Sequence, residues 1–276
     1  MTQFQRITLA SRPKGTPSLE NFTLETGDLP EPGAGEMLLR TIWMSLDPYM
    51  RGRMNEGKSY TPPVQIGATM EGACVAEVMV SHHPDYALGD IVMGGIGWTS
   101  HAISDGTGLR KIDPDLAPIS TAVGVLGMPG HTAYVGLNDI LEAKSGETIV
   151  VSAATGAVGS LVGQLAKRKG LRVIGVAGGA EKCAYAVENL GYDMCLDHHD
   201  AALAEALKAA APDGVDCYYE NVGGKTLEAV IPLMNVFGRI AVCGMISWYN
   251  GKGIEDAMRL PLAWRTILTQ RLKVRG

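Results

Sequence analysis

The sequence of 276 residues contains no run of 18 apolar residues, no Cys-x-x-Cys pair, no Cys/His cluster at metal-ligand spacing and no long basic block. The first absence leaves no candidate for a membrane-spanning helix. The five cysteines, Cys74, Cys183, Cys195, Cys217 and Cys243, are widely spread and odd in number, so neither a disulfide framework nor a local zinc site is written in the chain. Lys and Arg total 24 against 29 for Asp and Glu, a formal net charge of −5, which makes nucleic acid or an anionic membrane an unexpected partner. Met1 to Leu9 alternates polar and apolar residues without the apolar core of a signal peptide, and a cytoplasmic location is expected. The 35 glycines, about twice the usual share, form no collagen-like period and no Gly/Ser tract, so they must serve particular turns and close approaches. With 46% apolar and 19% charged residues the chain reads as globular, long enough for one large domain or two ordinary ones.

What is present changes character midway. Up to about Ser120 short strand-like segments are punctuated by Gly and Pro. Strands are expected at Met37 to Met44, at Met70 to Val80 with a bend near Gly72 and Ala73, and at Ile91 to Met93. This half reads as an all-β barrel or partly open sheet. From about Gly146 the rhythm becomes strand, glycine turn, helix. Strands are expected at Thr148 to Ala153, Arg172 to Ala177, Met194 to His198, Val215 to Val222 and Arg239 to Gly244, with Leu272 to Arg275 opening a sixth. Helices are expected at Gly130 to Leu141, after Val158 (Leu161, Val162 and Leu165 on one face), at Glu181 to Leu190, Asp200 to Ala211 and Lys225 to Val236. Such alternation implies an α/β domain with a doubly wound parallel sheet. Domains are placed at residues 1–125 and 126–276.

Between the first α/β strand and its helix stands Ala154-Thr155-Gly156-Ala157-Val158-Gly159, the dinucleotide fingerprint with Ala in the first glycine position. Gly156 lets backbone approach a pyrophosphate, Gly159 lets helix pack on strand, and the helix N-terminus offers free N–H groups. The second strand ends at Val176-Ala177-Gly178-Gly179 without the acid that an NAD site places there, and Lys182 follows in the first turn of the next helix; this favours NADP(H) over NAD(H). Asn221-Val222-Gly223-Gly224 and Cys243-Gly244-Met245-Ile246-Ser247 end the fourth and fifth strands, where a nicotinamide and its ribose should rest. Asn221 is open to two readings, a donor to the cofactor or a turn residue before glycines. Cys243 reads as a buried small residue rather than a nucleophile. His82-His83 and His198-His199 are adjacent pairs; neighbours on a strand point to opposite faces, so neither pair chelates a metal by itself. A salt bridge to Asp47 or solvation is expected for Arg51 and Arg53. Met44, Met50 and Met54 lie near one loop, with core filling the safer reading.

Ser45 to Met54, Gly127-Met128-Pro129-Gly130, the Ala154 to Gly159 loop, Ala177 to Lys182, Glu220 to Gly224 and Ile246 to Asn250 occur in that order. Together they resemble the zinc-free medium-chain dehydrogenases/reductases that reduce conjugated double bonds, the group of prostaglandin reductases, plant double-bond reductases and bacterial NADPH-dependent curcumin reductases. Leu196-Asp197-His198-His199 is most similar to the bacterial branch. The resemblance implies a GroES-like β-barrel domain followed by a Rossmann domain, a homodimer, and no metal. It implies that Gly156, Ala157, Val158 and Gly159 hold the pyrophosphate, Gly178, Lys182 and His198 the 2′-phosphate end, and Asn221 and Cys243 through Tyr249 (Gly244, Met245, Ile246 and Ser247 included) the nicotinamide half. The implied chemistry is hydride transfer from NADPH to the β-carbon of an α,β-unsaturated ketone or aldehyde, with Tyr249, and secondly Tyr49, stabilising the enolate. An alcohol dehydrogenase or quinone reductase on the same scaffold, or a catalytically silent NADPH-binding protein, stands as the alternative. Family members continue beyond the sixth strand, so the resemblance also implies a C-terminally shortened chain with an exposed sheet edge, weakened cofactor binding and low activity.

Overall fold

The computed structural model describes residues 3–57, 59–252 and 260–276. The chain divides into two compact units, Met1–Gly127 and Met128–Gly276.

In the first unit β1 (Gln3–Leu9) and β2 (Phe22–Asp28) form an antiparallel ribbon. Among the described residues a five-stranded antiparallel sheet is built from β3 (Met37–Met44), β4 (Cys74–Ser81), β5 (Ile91–Gly94), β6 (His101–Ser104) and β7 (Arg110–Lys111), in the order β6-β3-β4-β5-β7. Single bridges, Arg6 to Thr99 and Thr8 to Thr69, tie the ribbon to the rest of the unit. Strand alternation sends Met37 and Leu39 to one face, where they meet Ala76, Val78 and Val92. A second core gathers Leu9, Met54, Val64 and Met70. Met50 and Met54 are buried whereas Met44 is exposed, so two of the three clustered methionines fill core. A five-residue helix, α1 (Tyr49–Arg53), stands between β3 and β4.

The strand expected over Met70 to Val80 begins only at Cys74. The Met70 N–H donates to the Ile7 carbonyl at 2.9 Å and its carbonyl accepts from the Trp98 N–H at 2.8 Å, so Met70 pairs with the ribbon instead of extending β4. Gly72 makes the corner, with the Trp98 indole 3.1 Å from where a Cβ would stand.

In the second unit α2 (Met128–Val135) passes into a π turn at Gly136–Ile140. Six strands, all parallel among the described residues, follow: β8 (Thr148–Ser152), β9 (Arg172–Ala177), β10 (Met194–Asp197), β11 (Val215–Glu220), β12 (Met234–Val242) and β13 (Lys273–Arg275). They alternate with α3 (Gly159–Arg168), α4 (Ala180–Glu188), α5 (Leu203–Ala210), α6 (Gly224–Val230) and α7 (Leu260–Gln270). The order β10-β9-β8-β11-β12-β13 reverses between β8 and β11, the doubly wound arrangement whose ligands bind at the strands' carboxyl ends beside that switch point.

The central strands β8 and β9 are covered on both faces, which explains why they read as near-continuous apolar runs. Ile149, Val151, Val173 and Tyr219 face α2 and α3, packing on Ala133, Val162 and Ala166. Val150, Ile174, Tyr218 and Ile240 face α5 and α6, packing on Leu203, Leu207 and Val230. Two tyrosines lie directly on glycines: a Cβ at Gly163 would stand 2.1 Å from the Tyr192 ring, and one at Gly136 would stand 2.4 Å from the Tyr219 hydroxyl.

The helix expected over Lys225 to Val236 is a correction. α6 ends at Val230, a 3-10 turn containing Pro232 follows, and β12 starts at Met234, five residues before the expected strand. Met234 pairs with Val215, and a register shift between Val215 and Cys217 absorbs the extra residues around Phe237, whose φ is 64°. Sheet pairing overrides the helical spacing of the apolar residues there. No helix among the described residues is long and apolar enough to cross a membrane.

Candidate functional site

The loop after β8 opens with Ala153, a non-glycine residue at φ 50°, and turns back through a 2.9 Å hydrogen bond from the Gly156 N–H to the Ala153 carbonyl. A Cβ on Gly159 would stand 2.2 Å from that same carbonyl oxygen, so only glycine lets α3 start this close to β8. Gly156, Ala157 and Val158 fill the turn; the Ser160 N–H donates to the Gly156 carbonyl at 2.9 Å and those of Leu161 and Val162 to the Val158 carbonyl at 3.0 Å, so the helix starts in this loop and turns the positive end of its dipole there, which fits a pyrophosphate. Tyr192, which the sequence reading overlooked, clamps the loop: its buried hydroxyl donates to the Gly159 carbonyl at 2.7 Å. Burial raises its pKa far above the ordinary phenol value.

At the second strand's end, Gly179 is the N-cap of α4 with φ 87°, and Lys182 is exposed one turn into the helix. The Asp197 carboxylate, also missed, organises this corner. Its Oδ1 accepts the Gly179 N–H at 3.0 Å, the His199 N–H at 3.0 Å and His199 Nδ1 at 2.9 Å, and these bonds, the one from Gly179 foremost, lower its pKa to about 2. A Cβ on Gly178 would meet His198 Nε2 at 2.9 Å, so the structure brings Gly178 and His198 together. His198 and His199 are exposed in the turn beyond β10, as surface or loop residues should be, but because β10 stops at Asp197 their rings do not point to opposite faces and lie 4.0 Å apart.

The expected strand to Val222 ends at Glu220, because the Glu220 carboxylate accepts the N–H groups of Val222 (2.6 Å) and Gly223 (2.9 Å) and folds the chain back. Asn221 Nδ2 donates to the Ser152 carbonyl at 2.7 Å, so this side chain joins the ends of β8 and β11. The Cys243 to Tyr249 segment hangs on the same turn. The N–H groups of Cys243 and Gly244 donate to the Glu220 carbonyl, that of Ile246 to Asn221, and that of Ser247 to Val222. Tyr249 folds over its own loop, its hydroxyl accepting the Met245 N–H at 3.3 Å beside Gly244. A hydroxyl that accepts a bond keeps its proton to donate. Cys243 corrects the sequence reading: the residue is exposed, not buried, although desolvation of its sulfur beside the Tyr219 hydroxyl pushes the thiol up to about 11, far from a nucleophile's range.

The ends of β8, β11 and β12 are thus bonded together, with the Gly178, Lys182 and His198 corner at the neighbouring strand end. Tyr49 belongs to the first unit, where it is the first residue of α1. It is half-buried, and burial, then the carboxylates of Asp47 and Glu71, raise its pKa. Arg53 meets neither expectation, solvation nor a salt bridge to Asp47, since its side chain is 5% exposed. Arg53 instead makes a two-pronged pair with Glu71, both bonds 2.8 Å, and Asp47 Oδ2 is buried without a hydrogen-bond partner. Among the described residues no group of three or more His, Cys, Asp or Glu is placed to hold a metal ion.

Residues 5–112 match the family model described as the N-terminal domain of oxidoreductase, and residues 157–276 match the one described as zinc-binding dehydrogenase. The chain is 54% identical over 273 residues to the NADPH-dependent curcumin reductase of Escherichia coli (strain K12), covering 99% of this chain and 79% of that protein. It is 48% identical over 280 residues to prostaglandin reductase 1 of Rattus norvegicus, covering all of this chain and 82% of that one. The crystal structure of CurA from Vibrio vulnificus in complex with NADPH superimposes with a TM-score of 0.93 at 50% identity, over 99% of this chain and 81% of that chain. The chain belongs to the medium-chain dehydrogenase/reductase family, in the group of curcumin, prostaglandin and 2-alkenal reductases.

Proposed function

We propose that this protein is an NADPH-dependent oxidoreductase that reduces the carbon–carbon double bond of α,β-unsaturated ketones and aldehydes. The observation that carries the reading is the convergence of three glycine-bearing loops at the carboxyl ends of β8, β11 and β12, beside the switch point of the sheet. The relatives' chemistry supports it. The second unit serves as the NADP-binding domain and the first as the substrate domain.

When bound, NADPH would supply a hydride to the β-carbon of the enone, and a proton from solvent would then add to the α-carbon of the resulting enolate. Gly156 through Gly159 receive the pyrophosphate. Lys182, with His198 beside Gly178, receives the 2′-phosphate. Negative charge gathers on the substrate's carbonyl oxygen as the hydride arrives, so a donor aimed there lowers the barrier. Tyr249 is the first candidate, because its hydroxyl proton is not committed by the bond it accepts from Met245. Tyr49, held half-buried, is the second. The protein acts in the cytoplasm as a homodimer.

Purified protein incubated with NADPH and a panel of enones should yield the saturated ketone or aldehyde, identified by mass spectrometry, with NADH much the poorer donor. An alcohol product would instead indicate carbonyl reduction. Tight NADPH binding without turnover across enones and quinones would reject enzymatic function.

A further inference from the structure

Glu220 is 1% exposed, and no Lys, Arg or His forms an ion pair with it among the described residues. A buried carboxylate without a cation is unfavourable unless its oxygens are well supplied with donors. Here four neutral donors meet it. Oε1 accepts the Ser152 hydroxyl at 3.0 Å and the N–H groups of Val222 and Gly223, and Oε2 accepts the Tyr218 hydroxyl at 2.8 Å.

This arrangement controls more than one turn. Capturing the N–H groups of Val222 and Gly223 forces the chain into the left-handed region at Gly223 (φ 78°) and Gly224 (φ 55°). The carbonyls of Glu220, Asn221 and Val222 are thereby aimed at the backbone of Cys243 through Ser247, and the Ser247 hydroxyl donates to Val222 at 2.6 Å. Ser152 joins the third loop: its Oγ accepts the Asn221 N–H at 2.7 Å while donating to Glu220, and its carbonyl accepts Asn221 Nδ2. The carboxylate therefore holds the end of β8, through Ser152, and the turn after β11 directly, and the segment after β12 through the backbone carbonyls of that turn. The Gly178, Lys182 and His198 corner adjoins Asp197, which bonds the neighbouring Gly179 and His199, and these bonds are separate from those of Glu220.

We infer that Glu220 is a positioning residue for the nicotinamide half of the cofactor, shaping the Asn221 to Gly224 and Cys243 to Tyr249 loops without touching the cofactor's adenosine half. The inference rests on the cofactor reading above. It predicts a selective defect, which general destabilisation would not produce.

Binding of NADPH and of 2′,5′-ADP, which carries only the adenosine end, is measured by calorimetry on wild type, Glu220→Ala, Glu220→Gln and Ser152→Ala. Glu220→Ala should weaken NADPH by about tenfold or more and change 2′,5′-ADP by less than about twofold. Glu220→Gln, whose side-chain carbonyl still accepts both N–H groups, should recover most of the loss. Should Glu220→Ala not fold, Ser152→Ala, which removes one hydroxyl and leaves the carboxylate, must show the same selectivity. Equal weakening of both ligands, or of neither, overturns the assignment. Wild-type protein that binds neither ligand overturns the cofactor reading and this inference with it. Wild-type binding of both, with an unselective defect in the variants, overturns this inference alone.

Discussion

Replacing Gly159 by alanine adds one carbon at the tightest point of the proposed pyrophosphate site. That Cβ would stand 2.2 Å from the Ala153 carbonyl oxygen, 2.9 Å from its carbon and 3.1 Å from the Ala154 Cα, more than 1 Å inside ordinary contact with the oxygen. All three neighbours are backbone, so no side chain can swing aside. Ala153 is already in the left-handed region and Ala154 is fully buried, which leaves the strand end little freedom. The relief must come from α3 moving away from β8, against the Tyr192 hydroxyl that holds the Gly159 carbonyl. Overpacking of this kind costs about 1–3 kcal/mol, and for a chain of this size each kcal/mol lowers Tm by about 2–4 °C. A helix start displaced by about 1 Å also carries the loop backbone and the positive end of the α3 dipole away from the proposed pyrophosphate position, so NADPH affinity should fall by about tenfold. Thermal melts without ligand and calorimetric titration with NADPH read the two effects separately. Gly95→Ala is the control, since a Cβ there meets nothing within 4 Å. A Gly159→Ala protein whose Tm and NADPH affinity match those of the control would refute the packing argument.

Lys182→Ala should raise the Kd for NADPH by about tenfold, as loss of a charge-assisted contact does, and leave that for NADH unchanged. Tyr249→Phe should lower kcat for enone reduction by about a hundredfold while NADPH affinity changes by less than about tenfold; an unchanged kcat would transfer the donor role away from Tyr249. Asp197 has a folded pKa of about 2 against an ordinary 3.8, so its stabilising contribution is complete above the ordinary value and disappears as pH falls through the folded one. Denaturation midpoints of wild type and Asp197→Asn should therefore differ at pH 6 and converge between pH 4 and about 2; a constant difference across that window would remove Asp197 from the titration.

The doubly wound sheet was legible because short apolar runs such as β8 and β9 alternate with segments of helical spacing, and the proposed pyrophosphate loop because its residues are neighbours in sequence. Where partners lie far apart, the sequence was mute. Glu220 reads as an ordinary acid at a strand end, and its burial becomes intelligible only with Ser152 and Tyr218 bonded to it. Tyr192 lies outside the motif it clamps, and Asp197 reads as one member of a polar quartet until the Gly179 N–H is found on it. The misplaced boundary at Met234 has the opposite origin. Apolar residues from Leu227 to Val236 suit helix and buried strand alike, and only the pairing of Met234 with Val215 decides between them. His198 and His199 are legible as loop residues, but the closeness of their rings depends on β10 ending before them.

The tyrosines lying on glycines limit how the sequence can drift. At Gly163 the Tyr192 ring, and at Gly136 the Tyr219 hydroxyl, occupy the volume an alanine methyl would need. Either glycine substituted alone collides with an aromatic ring; either tyrosine trimmed alone opens a void. A tolerated substitution must therefore change each pair jointly, so part of the chain's high glycine count is set by a facing tyrosine and not by the glycine's own backbone.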